Sequence, residues 1–78
     1  MEKFSIEVEH AGDKLSFEVF DYVHGDTNKC QFEIFQDNKF VASFQPDLHG
    51  FLHICKNPGK IKEPVLYLLA DKIERLNI

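Results

Sequence analysis

Lys3-Phe4-Ser5-Ile6-Glu7-Val8-Glu9 and Lys14-Leu15-Ser16-Phe17-Glu18-Val19, joined by His10-Ala11-Gly12-Asp13, decide the fold of this 78-residue chain. In both arms apolar and polar residues alternate strictly. A period of two places Phe4, Ile6, Val8, Leu15, Phe17 and Val19 on one face of two strands and the charges on the other. A loop of His10-Ala11-Gly12-Asp13 sets Val8 opposite Leu15, Ile6 opposite Phe17 and Phe4 opposite Val19. It also sets Glu9 opposite Lys14, a favourable cross-strand charge pair.

The same alternation continues outward from this hairpin. Turn residues His24-Gly25-Asp26-Thr27-Asn28 lead to a third strand in which Cys30, Phe32 and Ile34 share the core face. Asp37-Asn38 then turns the chain into a fourth strand. A strict two-residue loop there pairs Ile34 with Val41 and leaves Phe40 and Phe44 outside. A three-residue Gln36-Asp37-Asn38 loop pairs Ile34 with Phe40, Phe32 with Ala42 and Cys30 with Phe44. The second keeps the larger apolar set inside, because a one-residue slip exchanges the faces. In the fifth strand either Leu52 and Ile54 or Phe51, His53 and Cys55 face inward. A buried histidine needs a hydrogen-bond partner and the two aliphatics do not, so Leu52 and Ile54 are expected inside.

Asn57-Pro58-Gly59-Lys60 carries a type II turn signature, with Pro second and Gly third. After Glu63-Pro64, a suitable helix opening, Leu66, Leu69, Ala70, Ile73 and Leu76 recur at helical spacing, widened by Val65. The expected architecture is α+β: a five-stranded antiparallel β-meander with one C-terminal α-helix packed across one face. It forms a single domain over 1–78, with strands at about 3–9, 14–23, 29–35, 39–45 and 51–56 and a helix at about 64–76.

Composition bounds the rest. Apolar residues make up 44% of the chain, as in ordinary globular domains. The net charge of −4 divides into −6 over residues 1–55 and +2 over 56–78. No gathering of Lys and Arg marks a duplex-binding surface. The opening Met1-Glu2-Lys3-Phe4 has no apolar signal region. The longest apolar run, 65–70, falls well short of the roughly 20 residues that cross a bilayer. Two cysteines are too few for a disulfide framework. A cytoplasmic protein with reduced thiols is therefore expected, and opposite-face placement of Cys30 and Cys55 excludes a bond between them.

The face left uncovered by the helix is uneven. Its first three strands present Glu7, Glu9, Glu18 and Glu33, whereas Phe35, Val41, Phe51, His53 and Cys55 form an apolar side. Contiguous exposed apolar surface marks an interface, so these five residues are the expected binding surface, for a protein partner or a second copy. Single-stranded nucleic acid stacked on Phe20, Tyr22, Phe35 or Phe51 is the alternative, opposed by the nearby carboxylates. A small enzyme of unrecognised class comes after that.

Catalytic and metal chemistry find little to work with. His49, His53 and Cys55 lack the paired spacing and fourth ligand of a zinc site, and no third group activates a Cys55–His53 pair. Glu7, Glu18 and Glu33 lie close on an open face without a cleft to separate their pKa values. Gly12, Gly25, Gly50 and Gly59 are isolated turn residues rather than a phosphate-binding loop. No cofactor, metal or catalytic residue is expected.

Overall fold

The computed structural model describes residues 2–22 and 30–76. The link expected over 24–28, with the flanking strand residues Val23 and Lys29, lies outside the described residues. The elements are β1 (Glu2–His10), β2 (Asp13–Asp21), β3 (Phe32–Gln36), β4 (Lys39–Pro46), β5 (Leu52–Lys56) and α1 (Glu63–Leu76). The strands form one antiparallel sheet in the order β1-β2-β3-β4-β5, a meander. The α1 helix contacts both edge strands, β1 and β5, and so crosses the sheet from edge to edge.

The first hairpin has the register its alternation specifies, with Val8 opposite Leu15, Ile6 opposite Phe17, Phe4 opposite Val19 and Glu9 opposite Lys14. Its connection is tighter than expected. His10 and Asp13 pair within the ladder, leaving a two-residue turn of Ala11 and Gly12 at φ 53° and 84°. Two left-handed residues in succession match the twist of the strands they join.

The β3–β4 hairpin corrects the expected three-residue loop. Asp37 and Asn38, at φ 52° and 65°, make a two-residue turn, so Gln36 pairs with Lys39 and Phe35 with Phe40. A bulge then inserts Val41, and the ladder resumes with Ile34 opposite Ala42 and Phe32 opposite Phe44. The tight turn and the buried Phe44 are reconciled because one extra residue re-phases the strand. Phe40 is thereby sent to the face of Phe35. Val41, Ala42, Ser43 and Phe44 are buried in succession, a run that simple alternation does not produce.

A second bulge falls in β5. Ser43 pairs with Lys56 and Phe44 with Ile54, leaving Cys55 as the extra residue. Leu52 packs against the core, whereas Ile54, expected to be buried, is 45% exposed. The bulge also overturns the exclusion of a disulfide, for Cys30 and Cys55 are bonded, with Cα atoms 6.5 Å apart. Cys30 precedes β3 and Cys55 interrupts β5, so neither side chain obeys strand parity. The bond spans β4, bringing its flanks closer than the roughly 10 Å between regular next-nearest strands.

The core joins Ile6, Val8, Phe17, Val19, Phe32, Ile34, Ala42 and Phe44 of the sheet to Val65, Leu66, Leu69, Ala70 and Ile73 of α1. Each large side chain removed from water in this way contributes about 1.5–3 kcal/mol. Leu76, counted with the helical stripe by its spacing, is 62% exposed at the helix end. The 57–62 connection is held by the Asn57 side chain, which donates to the Ile61 carbonyl at 3.0 Å and accepts from the Ile61 N–H at 2.9 Å. Its turn is not type II, since Lys60, at φ 53°, and not Gly59 is left-handed. Gly59 serves close approach: its N–H donates to the Val41 carbonyl at 2.9 Å, and a Cβ there would lie 2.6 Å from Val41 Cβ.

Candidate interaction face

The face that α1 leaves open is organised by three phenylalanines. Outward parity in β2 and β3 places Phe20 beside Phe35, and the two-residue turn adds Phe40. The Phe20 and Phe35 rings meet edge to face, with centroids 5.0 Å apart and planes at 81°. Phe35 and Phe40 are tilted by 52° at 5.7 Å. Such geometry sets the positive edge of one ring against the negative face of the next. All three rings are half-buried.

Polar groups border this row. Lys3 Nζ lies 5.5 Å from the Phe20 centroid and 3.0 Å from Glu18 Oε2, a cation held between a ring face and a carboxylate. The Tyr22 hydroxyl donates to Glu33 Oε1 at 2.8 Å. That hydrogen bond, burial and the Glu33 charge together push the Tyr22 phenol above its ordinary pKa. A shallow depression beside the rings is lined by Lys3, Glu18, Phe20, Tyr22, Phe35 and Asn38.

A second exposed region lies at the β4–β5 end. Asp47 Oδ1 accepts from the backbone N–H groups of His49 and Phe51 at 2.8 and 3.0 Å, closing the loop. Its Oδ2 lies 2.8 Å from His53 Nε2. The His53 contact foremost, and then the two backbone N–H groups, hold the Asp47 carboxyl below its usual range. Leu48 and Phe51 project there, with Phe51 60% exposed.

The five residues expected to form one patch are therefore dispersed. Phe35 sits in the aromatic row near the β3–β4 turn. Phe51 and His53 lie at the opposite end of the sheet, across from Asp47 and Gln45. Val41 is 8% exposed and belongs to the core, and Cys55 is committed to the disulfide. Ser43, between the two regions, is buried, with its hydroxyl lacking a hydrogen-bond partner among the described residues. Sequence reasoning placed Phe40 inside. The signal for its true position was Asp37-Asn38 itself, a pair suited to two left-handed residues.

Among the described residues no three His, Cys, Asp or Glu side chains gather as metal ligands, and no helix is long and apolar enough to cross a membrane. No protein-family model, curated protein or solved structure matches the chain.

Proposed function

We propose that this chain is a non-catalytic protein-interaction module that works through its uncovered sheet face, centred on Phe20, Phe35 and Phe40. The observation carrying this reading is the contiguous ring row on the face opposite α1. Aromatic anchors bring large apolar area at small conformational cost, and interface energy concentrates on such residues. Lys3, Glu18 and Glu33 supply the polar rim that orients a partner. The disulfide bears on the setting. The cytoplasmic expectation rested on reduced thiols, and a structural disulfide instead suits oxidising surroundings.

The test is a photo-crosslinking amino acid placed at Phe35, with one at the exposed Tyr67 of α1 as control. Protein adducts at position 35 that Phe20→Ser abolishes support the reading. Equal labelling at both positions removes it. Salt-sensitive retention of oligo(dT), lost in Phe20→Ser, replaces it with single-strand nucleic-acid binding, since phosphate contacts release counterions.

A further inference from the structure

The two edges of the sheet are not alike. On β5, five residues long, a bulge interrupts the ladder, and Glu74 of α1 accepts the Leu52 N–H at 2.9 Å. This edge is short, irregular and partly covered. The β1 edge runs for nine residues and pairs with β2 without a register shift. An unbroken edge of this kind is a template for another strand.

Hydrogen-bond parity identifies which groups the β1 edge offers. Tyr22 N–H donates to the Gln31 carbonyl at 2.8 Å, so the even residues of β2 direct their backbone groups toward β3. The odd ones, Asp13 to Asp21, then bond β1 through Glu2, Phe4, Ile6, Val8 and His10. The N–H and C=O groups of Lys3, Ser5, Glu7 and Glu9 consequently point outward, and all four residues are exposed.

Those four side chains are complementary to their own inverted copy. With Ile6 on a two-fold axis, Lys3 falls opposite Glu9 of a second chain, Ser5 opposite Glu7, and each pairing occurs again by symmetry. A shift of one ladder step in one direction sets Glu7 against Glu7, and in the other it keeps Lys3 opposite Glu7 but leaves Glu9 outside the ladder. Like charges opposed across strands are destabilising and opposite charges favourable. The charges thus disfavour the first shift, and the second makes a shorter ladder.

A second observation falls on the same centre. On the core side of β1 a groove is lined by Ser5, Ile6 and Glu7 together with Arg75 and Leu76 of α1. Ile6 sits in the middle of its strand wall, and Leu76 is 62% exposed at its helical wall. A two-fold axis at Ile6 brings this groove, with its exposed leucine, against its copy.

We infer that the chain forms a two-fold dimer by antiparallel pairing of β1 with β1 of a second copy, making one continuous sheet. This goes beyond the proposed function and does not depend on it, because the pairing uses the backbone groups of the edge. Lys3 serves both surfaces, since it also borders the aromatic row beside Phe20 and Glu18. Dimerisation presents two aromatic rows on one extended surface.

Sedimentation equilibrium of the full chain up to about 1 mM reads the dimer directly, in the weak range that such concentrations reach. Lys3→Glu and Glu9→Lys are each expected to weaken it about tenfold, and the double variant to restore it. Ser5→Pro removes an outward N–H at an edge position where proline is tolerated, and is expected to abolish dimerisation with the circular dichroism spectrum retained. Isotope-edited NMR on mixed labelled and unlabelled chains should show contacts between copies at Ile6. A strict monomer throughout the range overturns the inference, as does a dimer indifferent to Ser5→Pro. Failure of the double charge exchange to restore association overturns it as well.

Discussion

Ala11 and Gly59 show how a single methyl group can be misplaced or forbidden. Ala11 holds a left-handed conformation, φ 53°, that an L-residue with a Cβ adopts at a cost of roughly 1–2 kcal/mol. Ala11→Asn, which gives the Asn-Gly pair favoured in such turns, is expected to raise stability by about 1 kcal/mol in urea denaturation. The opposite holds at Gly59, where the added methyl would collide with Val41 at the bulge. Gly59→Ala is expected to cost about 1–3 kcal/mol by the same measurement, since backbone must shift to admit it. A third residue-scale prediction concerns Tyr22. Its pKa is raised in the folded state, so folding favours the protonated phenol. The resulting stability is fully present below the unfolded value of about 10 and is lost as pH rises through the folded value. In a Tyr67→Phe background, tyrosinate absorbance is expected to develop above that unfolded value, and Glu33→Gln should move it back down.

Elements are joined here by a few side chains that cross between them. Glu74 is one, tying the last turns of α1 to the first residue of β5 through the Leu52 N–H. Glu74→Ala is expected to lower stability by about 1–2 kcal/mol, the scale of a hydrogen bond to a charged acceptor. Amide exchange should quicken most at Leu52, whose outward N–H loses its partner. The elements also show where the sequence was readable. The β1–β2 register was legible because six inward and seven outward residues agree over an uninterrupted alternation. In β4 and β5 the alternation misled, as a bulge changes parity without changing composition. Val41 therefore moved from the expected surface to the core, and Phe40 made the opposite journey. The helix was legible from its stripe except at Leu76, where periodicity places a residue on the apolar face but does not say where the sheet beneath it ends.

At the scale of the whole molecule, the sheet, the helix α1 and the Cys30–Cys55 bond seen among the described residues hold a small core together. Domains of this size bury a modest share of their surface and gain from cross-links. The Cys30–Cys55 bond closes a loop with a sequence separation of 25, for which chain-entropy arguments give about 3–4 kcal/mol. Reduction by dithiothreitol, or Cys30→Ser with Cys55→Ser, is expected to lower unfolding stability by about that amount. Peptide mass mapping without reductant should recover the two cysteines in one linked fragment.

By itself the sequence determined the type and order of the elements, the first hairpin register, the meander and the helix face, because each depends on local periodicity that neighbouring residues reinforce. The far end of β2 and the start of β3 are shorter than their alternation suggested. It also marked an uncovered face rich in carboxylates and phenylalanines. Tertiary structure decided the parity of β4 and β5, the partners of Phe35, the burial of Val41 and the pairing of Cys30 with Cys55. These depend on two bulges, and a bulge is chosen by the competition between a tight turn and a common core, which no single strand contains.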